Sequence, residues 1–203
     1  MEITTEYRKQ QTNRITWWGV GVNLILAVIK TVGGIVGQSQ ALLADGIHSI
    51  SDLASDGMVL LAAKHAGEEA DEDHPYGHGR FETLATVALG IFLMIVAGGI
   101  AYDAIIRLQN PEGISIPAAF TLAIAAISIL ANEGLYHATK AVAQKIRSPM
   151  LEANAWHHRS DAISSIVVLI GIGATFYGYP LLDAIAAILV ALMIAKIGLD
   201  LSK

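Results

Sequence analysis

The sequence contains no cysteine in its 203 residues. This absence excludes disulfide bonds, thiolate metal sites and cysteine nucleophiles. A metal ion bound by this chain would therefore take its ligands from histidine, aspartate, glutamate, asparagine or the backbone. Such ligands disfavour the soft chemistry of copper(I).

Charged residues are also scarce, at 15% of the chain, whereas hydrophobic residues make up 54%. Together with a mean hydropathy of +0.53, this composition does not describe a surface that faces water on all sides. It predicts an integral, multi-pass membrane protein. The net charge of -5 comes from acids in a few loops and apolar segments, and no basic cluster suggests a nucleic-acid partner.

The first 14 residues are polar and lack the features of a secretory signal peptide. We interpret them as a retained cytoplasmic tail, followed by one transmembrane domain over 15–203. That domain contains apolar segments of about the 20 residues that a membrane-spanning helix needs. The prediction is an all-α, six-transmembrane-helix bundle with spans near 15–37, 40–65, 82–107, 116–138, 150–176 and 180–201.

The basic residues predict the orientation of this bundle. At and beyond the span ends, Arg107 is the one basic residue on one side of the six-span arrangement, and the others lie on the side of the two termini. Because cytoplasmic loops carry the excess of lysine and arginine, both termini should be cytoplasmic. Within span one, Lys30 could pair with an acid such as Asp56. The basic residues on the cytoplasmic side are Arg8, Lys9, Arg14, Lys64, Arg80, Lys140, Lys145, Arg147, Lys196 and Lys203.

A polar motif, A-[DN]-x-x-H-x-x-S-D, occurs at 44–52 and again at 153–161. On a helix, the histidine and the aspartate of each copy lie one turn apart on the same face. Spans two and five run antiparallel, and each histidine–aspartate pair lies slightly before the middle of its span, so both pairs come near the middle of the membrane. Two imidazoles and two carboxylates are a set of ligands that tetrahedral zinc accepts. The predicted metal ligands are His48, Asp52, His157 and Asp161.

Further polar residues extend each motif along its helix. Asp45 and Asp56 share the face of span two that carries its histidine, and Asn154 takes the corresponding place in span five. Two polar ladders of this kind predict a hydrated pathway, because ionisable residues inside membranes usually mark ion routes. The alternative is a polar network that packs the helices together.

A second group of metal-ligand residues lies in the loop between spans two and three. Asp71, His74 and His78 surround Pro75 and Gly77, which favour a turn that could bring all three onto one ion. A loop rich in histidine and acids could equally be solvated and bind nothing.

Three segments together resemble the cation diffusion facilitator family of divalent metal exporters. They are ALLADGIHSISD at 41–52, DEDHPYGHGRFE at 71–82 and NAWHHRSDAISS at 154–165. The resemblance places the transport site on the four predicted ligands and an additional loop site in some members. It also implies a homodimer that exchanges a divalent cation for protons. Family members usually continue into a cytoplasmic metal-binding domain, which this chain is expected to lack.

Zinc is the metal that we predict, as a transported substrate rather than a resident cofactor. Iron(II), cobalt and cadmium are alternatives that the same ligands could bind. A metal sensor without transport remains open as a function. An intramembrane zinc hydrolase is disfavoured because the chain has no H-E-x-x-H motif, so we do not expect an enzyme. The expected location is a bacterial inner membrane.

Overall fold

The computed structural model describes residues 5–65, 79–110 and 116–202, with side chains over 6–54, 86–110 and 116–202. Within these ranges the chain forms six α-helices and no strand, which confirms the predicted helical bundle. The helices are α1 (Thr5–Val36), α2 (Gln40–His65), α3 (Gly79–Gln109), α4 (Phe120–Ile146), α5 (Pro149–Phe176) and α6 (Leu181–Leu201).

Three helices, α1, α3 and α4, are longer than the predicted spans by four residues or more. Helix α1 begins at Thr5 instead of near residue 15, because its polar first turns contain no proline or glycine and Glu6 suits a helix N-terminus. Helix α4 continues two turns beyond residue 138 and ends where Arg147 adopts a left-handed conformation with φ of 52°. Pro149 then opens α5, and the side chain of Ser148 accepts a hydrogen bond from its first turn.

Four of the helices are long and apolar enough to cross a membrane in their described parts. They cover Glu6–Val36, Thr86–Gln109, Pro149–Phe176 and Leu181–Leu201. The other two, α2 and α4, carry polar and charged side chains within their length. The second helix carries the first polar motif, and α4 carries Asn132, Glu133 and His137 at and just after its middle. The result is a membrane bundle with its polar residues concentrated on particular helices.

The bundle has two ends, which we distinguish by the helix termini found there. At the terminal end α1 begins and α6 finishes, and the Arg8 side chain donates to the carbonyl of Arg147 in the α4–α5 turn. At the opposite end, the backbone nitrogen of Ala118 donates to the carbonyl of Gly37 at 2.9 Å, joining the approach to α4 with the α1–α2 turn. Helices that follow one another along the chain therefore run antiparallel, whereas α2 and α6, which both begin at the opposite end, run parallel.

The start of α2 is held at the opposite end by a carboxylate of α6. Asp183 is buried and accepts hydrogen bonds from Ser39 Oγ at 2.7 Å and from the Gln40 backbone nitrogen at 2.8 Å. It therefore serves as the N-terminal cap that α2 needs for its unpaired N–H groups. This contact fixes the height of α2 relative to α6.

The helices pack pairwise, with α1 along α2, α3 along α6 and α4 along α5. Glycine allows the first pair to approach closely. A Cβ on Gly34 would lie 2.5 Å from the backbone nitrogen of Leu43, and one on Gly46 would lie 2.6 Å from that of Thr31. Each of the two helices thus places a glycine directly against the backbone of the other.

Candidate metal site

Helices α2, α5 and α6 together enclose a cavity of about 460 Å³ in the terminal half of the bundle. Both histidine–aspartate pairs predicted from the motifs contribute to its wall. The rest of the wall comes from the last turns of α6 and from one serine of α5. The lining residues are His48, Asp52, His157, Ser160, Asp161, Met193, Lys196, Ile197, Asp200 and Leu201.

Three of the predicted ligands converge at the inner wall of this cavity. One ligand atom each from His48, Asp52 and Asp161 can be chosen so that all three lie within 4.8 Å of one another. The Nε2 atom of His48 is 3.7 Å from Oδ2 of Asp52, and the side chains are 6% and 11% exposed. The third side chain is 10% exposed. A buried imidazole with two buried carboxylates is a cluster that a divalent cation can neutralise.

Two atoms of this cluster have no hydrogen-bond partner among the described residues. They are Nδ1 of His48 and Oδ2 of Asp52, and both are buried. Buried polar atoms are nearly always paired, so each exception needs an explanation. The unpaired carboxylate oxygen belongs to the three-ligand cluster and faces its histidine, which suits an oxygen that a cation would bind.

The fourth predicted ligand, His157, lies in the same cavity but outside this cluster. Its Nε2 is 3.9 Å from Oδ2 of Asp161, one turn along α5, and its side chain is 39% exposed. The helical spacing that predicted a shared face is therefore observed. The structure brings three predicted ligands together and leaves the fourth at the cavity side of the cluster.

The residues predicted to extend the pathway have different surroundings. Asp45 is fully buried and forms an ion pair of 2.8 Å with Lys30, so that lysine does pair with an acid of α2. The side chain of Asp56 lies outside the described residues. Asn154 is half-buried on α5. Neither Asp45 nor Asn154 lines the cavity.

Asp71, His74 and His78 all lie outside the described residues. Metal binding by this loop stays a prediction.

A second, much smaller cavity lies behind the cluster, between α1, α2, α4 and α5. Its volume of about 10 Å³ is roughly what a single water molecule occupies by the same kind of measure. The amides in its wall were not predicted as site residues, and their only signal was polarity within apolar helices. The lining residues are Asn23, Leu26, Ser49, Asp52, Asn132 and Asp161.

The contribution of α6 was also missed by the sequence analysis. Met193 and Lys196 line the main cavity, yet α6 carries no repeated motif and no spacing that relates it to the two histidine helices. Only the packing of α6 against both α2 and α5 reveals that its last turns face the site.

Comparison with known proteins gives a consistent family assignment. Residues 16–203 match the sequence model of the cation efflux transmembrane domain. Metal tolerance protein 2 of Oryza sativa is 37% identical over 93% of this chain and 55% of its own length. An uncharacterized transporter of Methanocaldococcus jannaschii is 41% identical over 88% of this chain and 63% of its own length. Magnetosome protein MamB of a Magnetospira species is 34% identical over 98% of this chain and 68% of its own length. The chain spans from about half to two thirds of these curated relatives.

Proposed function

The chain belongs to the cation efflux family of membrane transporters, also called cation diffusion facilitators, and from this premise we propose that it exports zinc in exchange for protons. The observation that carries the proposal is the buried cluster of His48, Asp52 and Asp161 in a cavity between three helices. We propose that His157 moves in from the side of the cavity to complete four ligands.

The ligand types support zinc over the harder divalent ions, because imidazole suits zinc whereas magnesium and calcium prefer oxygen ligands, and the observed separations are compatible with zinc. Tetrahedral zinc, with bonds of about 2.0–2.2 Å, places its ligand atoms roughly 3.3–3.6 Å apart. Octahedral magnesium, with bonds of about 2.0–2.1 Å, places neighbouring oxygens roughly 2.8–3.0 Å apart. The two histidine–aspartate separations are 3.7 and 3.9 Å. Small side-chain adjustments would reach the tetrahedral spacing.

The charge of the cluster supports exchange for protons. Two carboxylates and two neutral imidazoles give a formally neutral site once a divalent ion is bound, which lowers the cost of holding it inside a membrane. After the metal leaves, protons are the natural replacement because they bind to the same lone pairs. Histidine can carry such a proton near physiological pH.

The cavity supports loading from the terminal end. We propose that this end is cytoplasmic, since the basic residues predicted for the cytoplasmic side flank it, and that the membrane is a bacterial inner membrane. We also propose a homodimer with one site in each protomer, as the family assignment implies. Rocking of helices would then expose the site alternately to the two sides of the membrane.

Iron(II) is the second candidate metal. It accepts the same imidazole and carboxylate ligands, and the cavity of about 460 Å³ has room for the waters that a coordination number above four requires. The thioether of Met193 in the wall also suits an ion softer than manganese or magnesium.

Zinc and iron(II) flux into proteoliposomes, with and without an imposed pH gradient, tests these proposals. We expect zinc flux that the proton gradient stimulates and that Asp52→Ala and Asp161→Ala abolish. Glu152→Gln is a matched control, because it neutralises an exposed carboxylate in the first turn of α5. Zinc binding without flux under any gradient would instead indicate a sensor, and faster iron(II) flux would change the proposed substrate.

A further inference from the structure

The ammonium group of Lys30 is enclosed by oxygen atoms in the interior of the bundle. Its Nζ lies 2.8 Å from Oδ2 of Asp45 and donates to the hydroxyls of Ser165 at 3.0 Å and Ser49 at 3.3 Å. The lysine is 1% exposed. An ammonium has three protons to donate, and each finds an acceptor here. The positive charge is therefore fully compensated within the protein.

The carboxylate of Asp45 in turn joins α2 to α5. Its Oδ1 accepts a hydrogen bond from Ser164 Oγ at 3.0 Å, and its Oδ2 accepts one from Ser165 Oγ at 2.9 Å. Both serines are buried. These contacts connect α1, α2 and α5. We call the five residues that make them the Lys30 cluster: Lys30, Asp45, Ser49, Ser164 and Ser165.

Most of the Lys30 cluster lies on one side of the metal ligands, and only Ser49, which directly follows His48, is level with them. Asp45 precedes His48 by three residues, a rise of about 4.5 Å along α2, and Ser164 follows Asp161 by the same amount along α5. Because the two helices are antiparallel, both displacements point toward the opposite end. The main cavity, in contrast, reaches the last turns of α6 at the terminal end.

The helices leave little space around the Lys30 cluster. The neighbours of the ion pair, Thr31 and Gly46, are so close that a Cβ on the glycine would lie 2.6 Å from the threonine backbone nitrogen. On α5, the next turn toward the opposite end presents Val168, which is fully buried. A hydrated ion at the metal site therefore has an open side at the terminal end and a closed side at the opposite end.

We propose that the Lys30 cluster is the gate that closes the metal site toward the opposite end of the bundle. This inference rests on the proposed transport function, because release on that side requires α1 and α5 to part from Asp45. Lys30 touches no metal ligand atom at hydrogen-bond distance and is a positioning residue. Its ion pair is strong while dry and weakens when water enters, so the closed and open arrangements are two distinct states.

Cysteine reporters can test the gate because the chain has none of its own. Val168→Cys reports on the closed side, and Ser160→Cys reports on the cavity. Each is introduced into the parent chain and into the double variant Lys30→Met/Asp45→Asn, which removes both charges and so leaves no unpaired ion. Reaction rates with a polar maleimide are measured in detergent without metal.

We expect the cysteine at position 168 to react at least tenfold faster in the double variant than in the parent chain. The labelling rate of the cysteine at position 160 should stay the same or fall. Unchanged rates at both reporters would overturn the proposal, since the cluster would then not hold this side closed. Faster reaction at both would also overturn it, because the cluster would only support the general packing. Ser128→Ala, which removes another buried hydroxyl, should change neither rate.

The labelling does not depend on transport. If the parent chain carries no metal across proteoliposomes, the proposed function fails whatever the reporters show. If metal flux is present and the reporters do not respond, the gate alone fails.

Discussion

Asp161→Asn should weaken zinc binding by a large factor, and the structure lets that factor be bounded. The carboxylate of Asp161 is 10% exposed and provides one of the three clustered ligand atoms. Asparagine has nearly the same shape and keeps one oxygen that can coordinate a metal. The substitution therefore changes the charge of the site far more than its geometry. With zinc bound, the site would carry a net positive charge instead of none.

The energetic cost follows from the separation of charges. Two unit charges 4 Å apart interact by about 4 kcal/mol at an effective dielectric constant of about 20. A bound zinc ion carries twice that charge and would lie closer to its ligand, so about 4 kcal/mol is a lower bound. Since about 1.4 kcal/mol corresponds to a tenfold change, zinc affinity should fall by a factor of roughly 1,000 or more.

Competition with a fluorescent zinc chelator, on purified protein in detergent, measures this change. Asp161→Asn is compared with the parent chain and with Glu152→Gln, an exposed carboxylate on the same helix whose loss should leave the affinity within about threefold. If Asp161→Asn binds zinc within tenfold of the parent chain, the cluster is not the metal site and the reasoning fails.

Further predictions concern the unequal histidines and the packing of the bundle. In the same chelator assay, His48→Ala should weaken zinc binding more than His157→Ala, because only the first imidazole belongs to the three-ligand cluster. Asp183→Ala removes two hydrogen bonds to a charged acceptor, each worth about 1.5–3 kcal/mol, and should lower the thermal unfolding midpoint while zinc affinity is retained. Gly34→Ala should also lower this midpoint, because its Cβ would meet the α2 backbone. Gly21→Ala adds a Cβ in open space. It should leave the midpoint unchanged or raise it, because alanine stabilises a helix by up to about 1 kcal/mol relative to glycine.

The number of helices and most of their ends could be predicted from the sequence. Apolar runs of about 20 residues separated by glycine, proline and charge leave little choice of secondary structure. The i, i+4 spacing likewise predicted that His48 would lie near Asp52 and His157 near Asp161. Both relations are local, and one helix suffices to produce them.

Contacts between helices could not be predicted in this way. Asp45 and Asp56 lie on the same face of α2, and helical periodicity does not say which of them is level with Lys30. That choice depends on the close α1–α2 approach at Gly34 and Gly46. The same limitation hid the contribution of α6, because nothing in its own sequence relates its last turns to the two motifs.

The two copies of the motif differ at their second position, and the structure gives a physical reason. That position is Asp45 in the first copy and Asn154 in the second, each three residues before its histidine. Because α2 and α5 are antiparallel, the aspartate falls on the closed side of the site and the asparagine on the side of the cavity. A carboxylate on a dry side requires a countercharge, and Lys30 supplies it. The neutral amide of Asn154 requires no countercharge. The repeated motif thus provides the same ligand types at the centre and unlike neighbours on either side, as the proposed gate requires.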